Sequence, residues 1–262
     1  MLSLSIVILT HSSNCHLWPP VFDLLYKYLK DIKINVMTDQ ESFFRDHVKY
    51  NNINIVYEYS DKDQTYFMRH SSIMKMIDDK YIINFADNRF LTNADVPKLL
   101  NLLNTMELHK INRLALYSDP TFNGNNRKIE SIIGMDHNNF ITESTEYFNF
   151  SAQPAIWNRE SFIKLCDNFS YLRYRQTESE IVQTYMKNNF NVYHLHSHID
   201  PHSSWNCKLV HYFEFVYVGS QWHPEPDSAY NSLKETVFSI IKEYNLEYNP
   251  KPFIFDARWD HN

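Results

Sequence analysis

Tyr81 to Ala86 (YIINFA) is an apolar run that leads straight into Asp87, Asn88 and Arg89. An acid at the C-terminal end of a buried parallel strand stands where open α/β sheets bind their ligands. The Asp87 carboxylate and the Asn88 carbonyl oxygen are hard donors of the kind Mg²⁺ or Mn²⁺ takes, with phosphate oxygens completing the shell. Arg89 adds a fixed positive charge. The same residues also serve as turn formers after a strand, because their side chains bond nearby backbone. Arg69, on the helix just upstream, reads by itself as an exposed helix arginine. Thr177-Glu178-Ser179-Glu180 reads as a capping box with Thr177 at the N-cap and Glu180 at N3. Glu178 and Glu180 are also candidate bases for deprotonating an acceptor hydroxyl. Gln153 and Trp157 would suit a sugar, an amide for its hydroxyls and a ring for its C–H face, although a tryptophan beside Pro154 and Ile156 is more often core. His194, His196, His198, Asp200 and His202 form a dense run. Alternate residues of a strand share a face, so these histidines could converge on a metal, but the spacing matches no zinc signature and solvated loop histidines are the plainer explanation.

Composition narrows the chemistry. The 262 residues carry 25 Lys plus Arg against 31 Asp plus Glu, a net charge of −6, which offers no general field for a nucleic-acid backbone. Only 3 glycines occur, so neither a dinucleotide fingerprint nor a P-loop can be assembled, and any phosphate must be held by side chains, a metal or glycine-free backbone. Cys15, Cys166 and Cys207 are far apart and form no CxxC pair, which excludes a disulfide scaffold and a cysteine zinc cluster and fits a reducing compartment. No stretch has the length of apolar residues needed to span a bilayer, and Leu2 to Leu9 lacks the flanks of a signal peptide. A cytoplasmic protein is expected.

The elements that must position these residues alternate. Leu4–Thr10, Ile34–Thr38, Ile53–Tyr57, Tyr81–Phe85 and Leu114–Tyr117 read as strands. Helices are expected after Pro19-Pro20, between Asp63 and Asp79, and after Asn93 as a cap with Pro97 in the first turn. In the second half, Ser118 to Ser144 reads as a long loop with a short strand near Ile132, and Tyr147–Phe150 as a strand. A tight connection over 151–157 then enters a helix capped by Asn158. Thr177–Asn188 (helix), Asn191–Leu195 (strand), a loop over 196–226 and Asp227–Tyr244 (helix) complete the reading. A single α/β domain follows, with one half over about 1–117, a second over about 118–248 and a tail over 249–262.

The order of pieces resembles a GT-A glycosyltransferase. ILTHSS closes the first strand, MTD follows the second, and YIINFADNRFLTNADVPKLLNLL looks like the family's apolar strand, acidic pair and helix. FNFSAQPAIWNRESFIKL is similar to the family's acceptor-side segment, and within the family the chain looks most like the enzymes of large DNA viruses such as chloroviruses. The resemblance implies a GT-A-like, mostly parallel sheet flanked by helices, with about 1–117 as the nucleotide-binding half and about 118–248 as the acceptor-side half. It also implies Asp87 as the metal-binding acid, with Asn88 where a second acid often stands. Thr10, His11 and Ser12 would cradle the nucleotide base, Asp39 would lie near the nucleoside, and Arg69 and Arg89 would face the diphosphate. Gln153 and Trp157 would meet the acceptor, and His198 would complete the metal shell. The expected activity is metal-assisted (Mn²⁺ or Mg²⁺) transfer of a sugar from a nucleotide-diphosphate donor, by family tendency a UDP-sugar with rhamnose as a guess, to a glycan hydroxyl. A host-cytoplasm or virion location follows if the source is viral. Stereochemistry and oligomeric state stay open. A sugar-phosphate nucleotidyltransferase or a non-catalytic carbohydrate-binding protein are the alternatives.

Overall fold

The structure is a computed structural model that describes residues 2–40, 42, 50–58, 64–117, 128–129, 139–144, 149–197, 210–213, 217–218, 221–222 and 231–247. Its strands are β1 (Leu4–Leu9), β2 (Lys33–Thr38), β3 (Ile53–Glu58), β4 (Tyr81–Ala86), β5 (Phe90–Ala94), β6 (Arg113–Ala115), β7 (Lys128–Ile129), β8 (Asn139–Glu143), β9 (Ala155–Asn158) and β10 (Val192–Ser197), followed by β11 (Val210–Phe213), β12 (Tyr217–Val218) and β13 (Gln221–Trp222). The helices are α1 (Trp18–Leu29), α2 (Tyr66–Lys75), α3 (Val96–Leu108), α4 (Arg159–Asn168), α5 (Glu180–Asn189) and α6 (Asn231–Glu243).

Nine strands form one sheet in the order β3-β2-β1-β4-β9-β6-β10-β8-β7. The pairings β3–β2–β1–β4 and β6–β10 are parallel, while β9 lies antiparallel between β4 and β6, and β8 lies antiparallel between β10 and β7. All strands but β9 and β8 therefore run one way. The mostly parallel α/β sheet expected from the sequence is the sheet observed.

The strands are apolar on both faces because both faces are covered. On one side Ile6, Ile8, Ile34, Val36, Ile83 and Phe85 pack with Val21 and Leu25 of α1, Leu99 and Leu103 of α3 and Ile240 of α6. On the other, Val7, Met37, Ile82 and Trp157 pack with Phe67 and Met74 of α2, Phe162 and Leu165 of α4 and Val182 and Met186 of α5. Val7 stands between Ile6 and Ile8 on the opposite face, the period of two that a strand imposes. Each such side chain contributes about 1.5–3 kcal/mol by leaving water.

The helix starts follow capping chemistry. Thr65 accepts from the Met68 amide at 3.2 Å, and Asn158 accepts from Ser161 at 3.0 Å. Asp95, not Asn93, caps α3, accepting from Lys98 at 3.1 Å. Asn93 instead belongs to β5, because the FLTNA segment pairs antiparallel with β11. A second departure is β9. The segment expected as a tight connection contains a central strand, secured by Asn84, whose Oδ1 accepts from Ala155 N at 3.1 Å while its Nδ2 donates to Gln153 O at 3.3 Å. The four residues of β9, AIWN, are too few to show a strand's alternation when both faces are buried. The long loop expected over 118–144 contains β7 and β8. Of the strand expected at Tyr147–Phe150, Asn149 and Phe150 lie outside any strand, and residues 147–148 are outside the described set.

The capping-box reading of 177–180 also gives way. α5 starts at Glu180 with Ser179 as N-cap, and the Thr177 hydroxyl donates to the Tyr174 carbonyl at 2.8 Å. Thr177 closes the preceding 3₁₀ turn (Tyr174–Gln176) rather than opening a helix. His194 and His196 are not solvated loop residues. Both are buried in β10, where His196 Nε2 meets the hydroxyl of Thr142 in β8 at 2.7 Å and His194 Nε2 meets Oγ of Ser144, just past the end of β8, at 3.2 Å. No helix among the described residues is long and apolar enough to cross a membrane.

Candidate functional site

Where β1 and β4 end, side by side, a cavity of about 360 Å³ opens. Its walls include Thr10, His11 and Asn14 after β1, Asp87, Asn88 and Arg89 after β4, Tyr66, Arg69 and His70 from α2, and Ala152 and Tyr174 from the second half. The volume is that of a small-ligand site, and its position is the one α/β sheets use.

Asp87 is 6% exposed and joins the two strand ends. The Thr10 hydroxyl donates to its Oδ2, as does Trp18 Nε1 at 3.5 Å, while Asn14 Nδ2 reaches both carboxylate oxygens at 3.2 Å. Burial nevertheless raises its pKa above the usual carboxylate value, outweighing the bonds from Thr10, Asn14, Trp18 and the His11 backbone, which lower it. The site thus has a desolvated carboxylate that a positive charge would stabilise.

The loop after β1 is held by a second acid. Asp39 accepts from the Ser12 amide at 2.6 Å and from the Ser12 hydroxyl at 2.7 Å, and His11 Nε2 lies 3.1 Å from its Oδ2. His11 Nδ1 accepts from Ser13 N at 3.1 Å, which leaves Nε2 to carry the proton toward Asp39. Thr10 and His11 line the cavity; Ser12 and Asp39 shape the loop that bears them.

Arg89 is buried, and its Nη2 donates to Gln153 Oε1 at 3.0 Å. Gln153 is therefore committed to orienting an arginine and stands behind the cavity wall. Trp157 is 0% exposed and stacks on Phe162 at 4.7 Å, so it belongs to the core, not to an acceptor surface. Arg69 is half-buried and faces the cavity. Glu178 is exposed, and its Oε1 accepts at 2.8 Å from the amide of Ala152, a residue of the cavity wall. Glu180 lies elsewhere, in a separate surface depression with Tyr171 and Ile181. His198 lies outside the described residues. Among the described residues no group of three His, Cys, Asp or Glu side chains could hold a metal.

Four contributors were not legible beforehand: Asn14, Trp18, Tyr66 and His70. The spacing Tyr66, Arg69, His70 on one helix face was the available signal. His70 is 3% exposed, with its Nδ1 2.9 Å from the Tyr66 carbonyl and its ring against Tyr66 and Phe162. Burial pushes its pKa down to about 4 from 6.5, against the backbone bond to Tyr66, which raises it. The folded value lies below the unfolded one, so this stabilisation is complete above pH 6.5 and is lost as pH falls toward 4. At full protonation the loss is about 3 kcal/mol. Urea melts from pH 7 down to pH 4 should therefore be steeper in pH for the wild type than for His70→Asn, and equal slopes would refute the assignment.

The loop over 149–154 is pinned at several points. Gln183 brackets Phe150, accepting from its amide at 2.8 Å and donating to its carbonyl at 2.7 Å, and Tyr117 OH meets Ser151 Oγ at 2.6 Å. Beneath it Arg113 is fully buried, its guanidinium 5.5 Å from the Trp157 ring and 5.9 Å from that of Tyr117, with Nε and Nη1 unpaired.

No family model and no curated protein sequence matches the chain. Among solved structures it is similar to residues 1–349 of TarS from S. aureus, with TM-score 0.49 and 11% identity over 74% of this chain and 58% of that one. It is also similar to 4-diphosphocytidyl-2C-methyl-D-erythritol synthase from Anaerococcus prevotii, with TM-score 0.48 and 15% identity over 79% and 93% of the two chains. The glycosyltransferase GlyE of Streptococcus pneumoniae follows at TM-score 0.44 and 12% identity, over 73% and 45%. The chain thus spans a little over half of the TarS fragment and under half of GlyE.

Proposed function

We propose that the chain is a glycosyltransferase that moves a sugar from a nucleotide-diphosphate donor, a UDP-sugar, to a glycan hydroxyl. One observation carries this reading: Asp87, Asn88, Arg69, Arg89 and Thr10 come from separate parts of the chain and line one cavity at the ends of β1 and β4. Departure of a nucleoside diphosphate concentrates negative charge on phosphate oxygens, so the site must set positive charge against them. Arg69 and Arg89 bring guanidinium groups suited to phosphate.

The donor set also fits a divalent cation. The Asp87 carboxylate is held by Thr10, Asn14, Trp18 and the His11 backbone, and among the described residues it is the one acidic group in the cavity wall that a cation could take as a ligand. Asn88 adds a neutral oxygen ligand, and Mg²⁺ or Mn²⁺ held by so few protein groups relies on water and donor phosphates for the rest. Bound there, the cation would supply further charge to the leaving diphosphate. Thr10 and Asn14 hold the carboxylate in place. Glu178, held by the amide of Ala152 in the cavity wall, would accept the acceptor proton if the reaction inverts.

Arg69→Ala is expected to weaken UDP binding about tenfold to a hundredfold, the worth of a charge-assisted bond to phosphate. Thermal shift with UDP, with and without Mn²⁺, measures it. A wild type that gains no stability from UDP, or that turns over a nucleoside triphosphate with a sugar phosphate, would overturn the proposed activity.

A further inference from the structure

Trp157 is sealed in the core and Gln153 is committed to Arg89, so the residues expected to meet an acceptor sugar cannot present a surface to one. Another aromatic side chain does. Tyr174 is 59% exposed, and it is the one large exposed apolar or aromatic side chain, among the described residues, that also lines the cavity. Its backbone is held in a 3₁₀ turn. Arg173 N donates to Gln176 Oε1 at 3.0 Å, and the Thr177 amide and hydroxyl both donate to the Tyr174 carbonyl, at 3.1 and 2.8 Å. Its ring packs at 5.2 Å on Tyr66, which in turn packs at 4.1 Å on His70. A flexible surface tyrosine has no such backing. Here an apolar ring is fixed at the mouth of a polar cavity with more than half its surface in water.

We infer that Tyr174, backed by Tyr66, is the platform on which the acceptor's pyranose ring stacks. The C–H face of a pyranose is the apolar surface that fits a tyrosine ring, while its hydroxyls need polar partners alongside. Glu178 meets that need, because its carboxylate is anchored to the amide of Ala152, a residue of the same cavity wall. Platform and carboxylate belong to one short segment, 174–178, so a sugar lying on the ring brings its hydroxyls to the proposed base. The acceptor, not the donor sugar, is assigned here because Glu178 acts on the acceptor hydroxyl. This inference rests on the transferase reading.

The test is saturation-transfer NMR with methyl glycosides of glucose, galactose, mannose, N-acetylglucosamine and rhamnose at millimolar concentration. At least one should receive saturation on the protons of one ring face. Tyr174→Ala should lose that transfer, and Tyr174→Phe should keep it, since the ring and not the hydroxyl carries the contact. The unliganded melting temperature of each variant checks that the fold is intact. No transfer to any of the five sugars, transfer retained in Tyr174→Ala, or transfer lost in Tyr174→Phe would each overturn the platform. UDP-induced stabilisation of the wild type is read separately: its absence removes the transferase reading, whereas its presence with no sugar signal removes only this assignment.

Discussion

Asp87→Asn should lose donor turnover by about a thousandfold or more, yet melt no lower than the wild type at neutral pH. The first half follows from the position of Asp87 in the cavity, where its charge is the acidic one opposed to Arg69 and Arg89. Removing a preorganised group that acts on developing charge typically costs a hundredfold to a thousandfold, and loss of the proposed metal ligand would add to that. The second half follows from burial, which holds the Asp87 pKa above its unfolded value of 3.8. For a carboxyl raised in this way, the stability gained from the bound proton is present below pH 3.8 and is lost as pH rises through the folded value. At neutral pH the wild type therefore carries the cost of an ionised buried carboxylate, which an amide does not. Asparagine keeps an acceptor for Thr10, Asn14 or Trp18, and the Thr10 hydroxyl can turn to accept from the new amide. The advantage of Asp87→Asn should thus be visible at pH 8 and vanish near pH 3. Donor hydrolysis and melting temperature across that range provide the two readouts. Retained hydrolysis would remove Asp87 from the chemistry, and a markedly lower melting temperature at pH 8 would show that its hydrogen bonds outweigh its desolvation.

Trp157→Ala should cost about 3–5 kcal/mol of folding stability, the usual range for truncating a buried aromatic. The ring is completely enclosed. It stacks on Phe162 at 4.7 Å and 22°, meets Phe150 at 6.1 Å and covers the Arg113 guanidinium at 5.5 Å. Truncation leaves a cavity between β9 and α4 and also removes the aromatic face from an arginine that has no carboxylate partner among the described residues. Chemical denaturation measures the loss, and Trp157→Phe should recover most of it. A stable Trp157→Ala protein with weakened sugar binding would instead return the residue to the acceptor site.

The two residues show how far one-dimensional reading reaches. Asp87 was legible because an apolar six-residue run ending in an acid is a local pattern with a spatial meaning: a parallel strand delivers its C-terminal residue to the binding edge. Trp157 was not, because a tryptophan in QPAIWN looks the same whether it caps a sugar subsite or fills a core, and only the neighbours brought by the fold distinguish the two. Arg69 was similarly open, an arginine on a helix until α2 was placed with its first turn over the strand ends. The second half was read least well. β9 and β5 gain their hydrogen bonds from strands distant in sequence, as β8 does on its β10 side, and the four- and five-residue segments concerned carry little periodicity of their own.

The sequence by itself determined the class of the fold and the chemical types available to the site. Strand and helix periods follow from which residues must leave water, and scarcity of glycine removes the phosphate loops that need it. The tertiary structure alone decided which groups meet. Thr10 and Asp87 are separated by 77 positions and share a hydrogen bond; Arg89 and Gln153 are separated by 64. Such contacts depend on the order in which strands are laid side by side, and that order is set by packing of the whole chain, not by any segment within it.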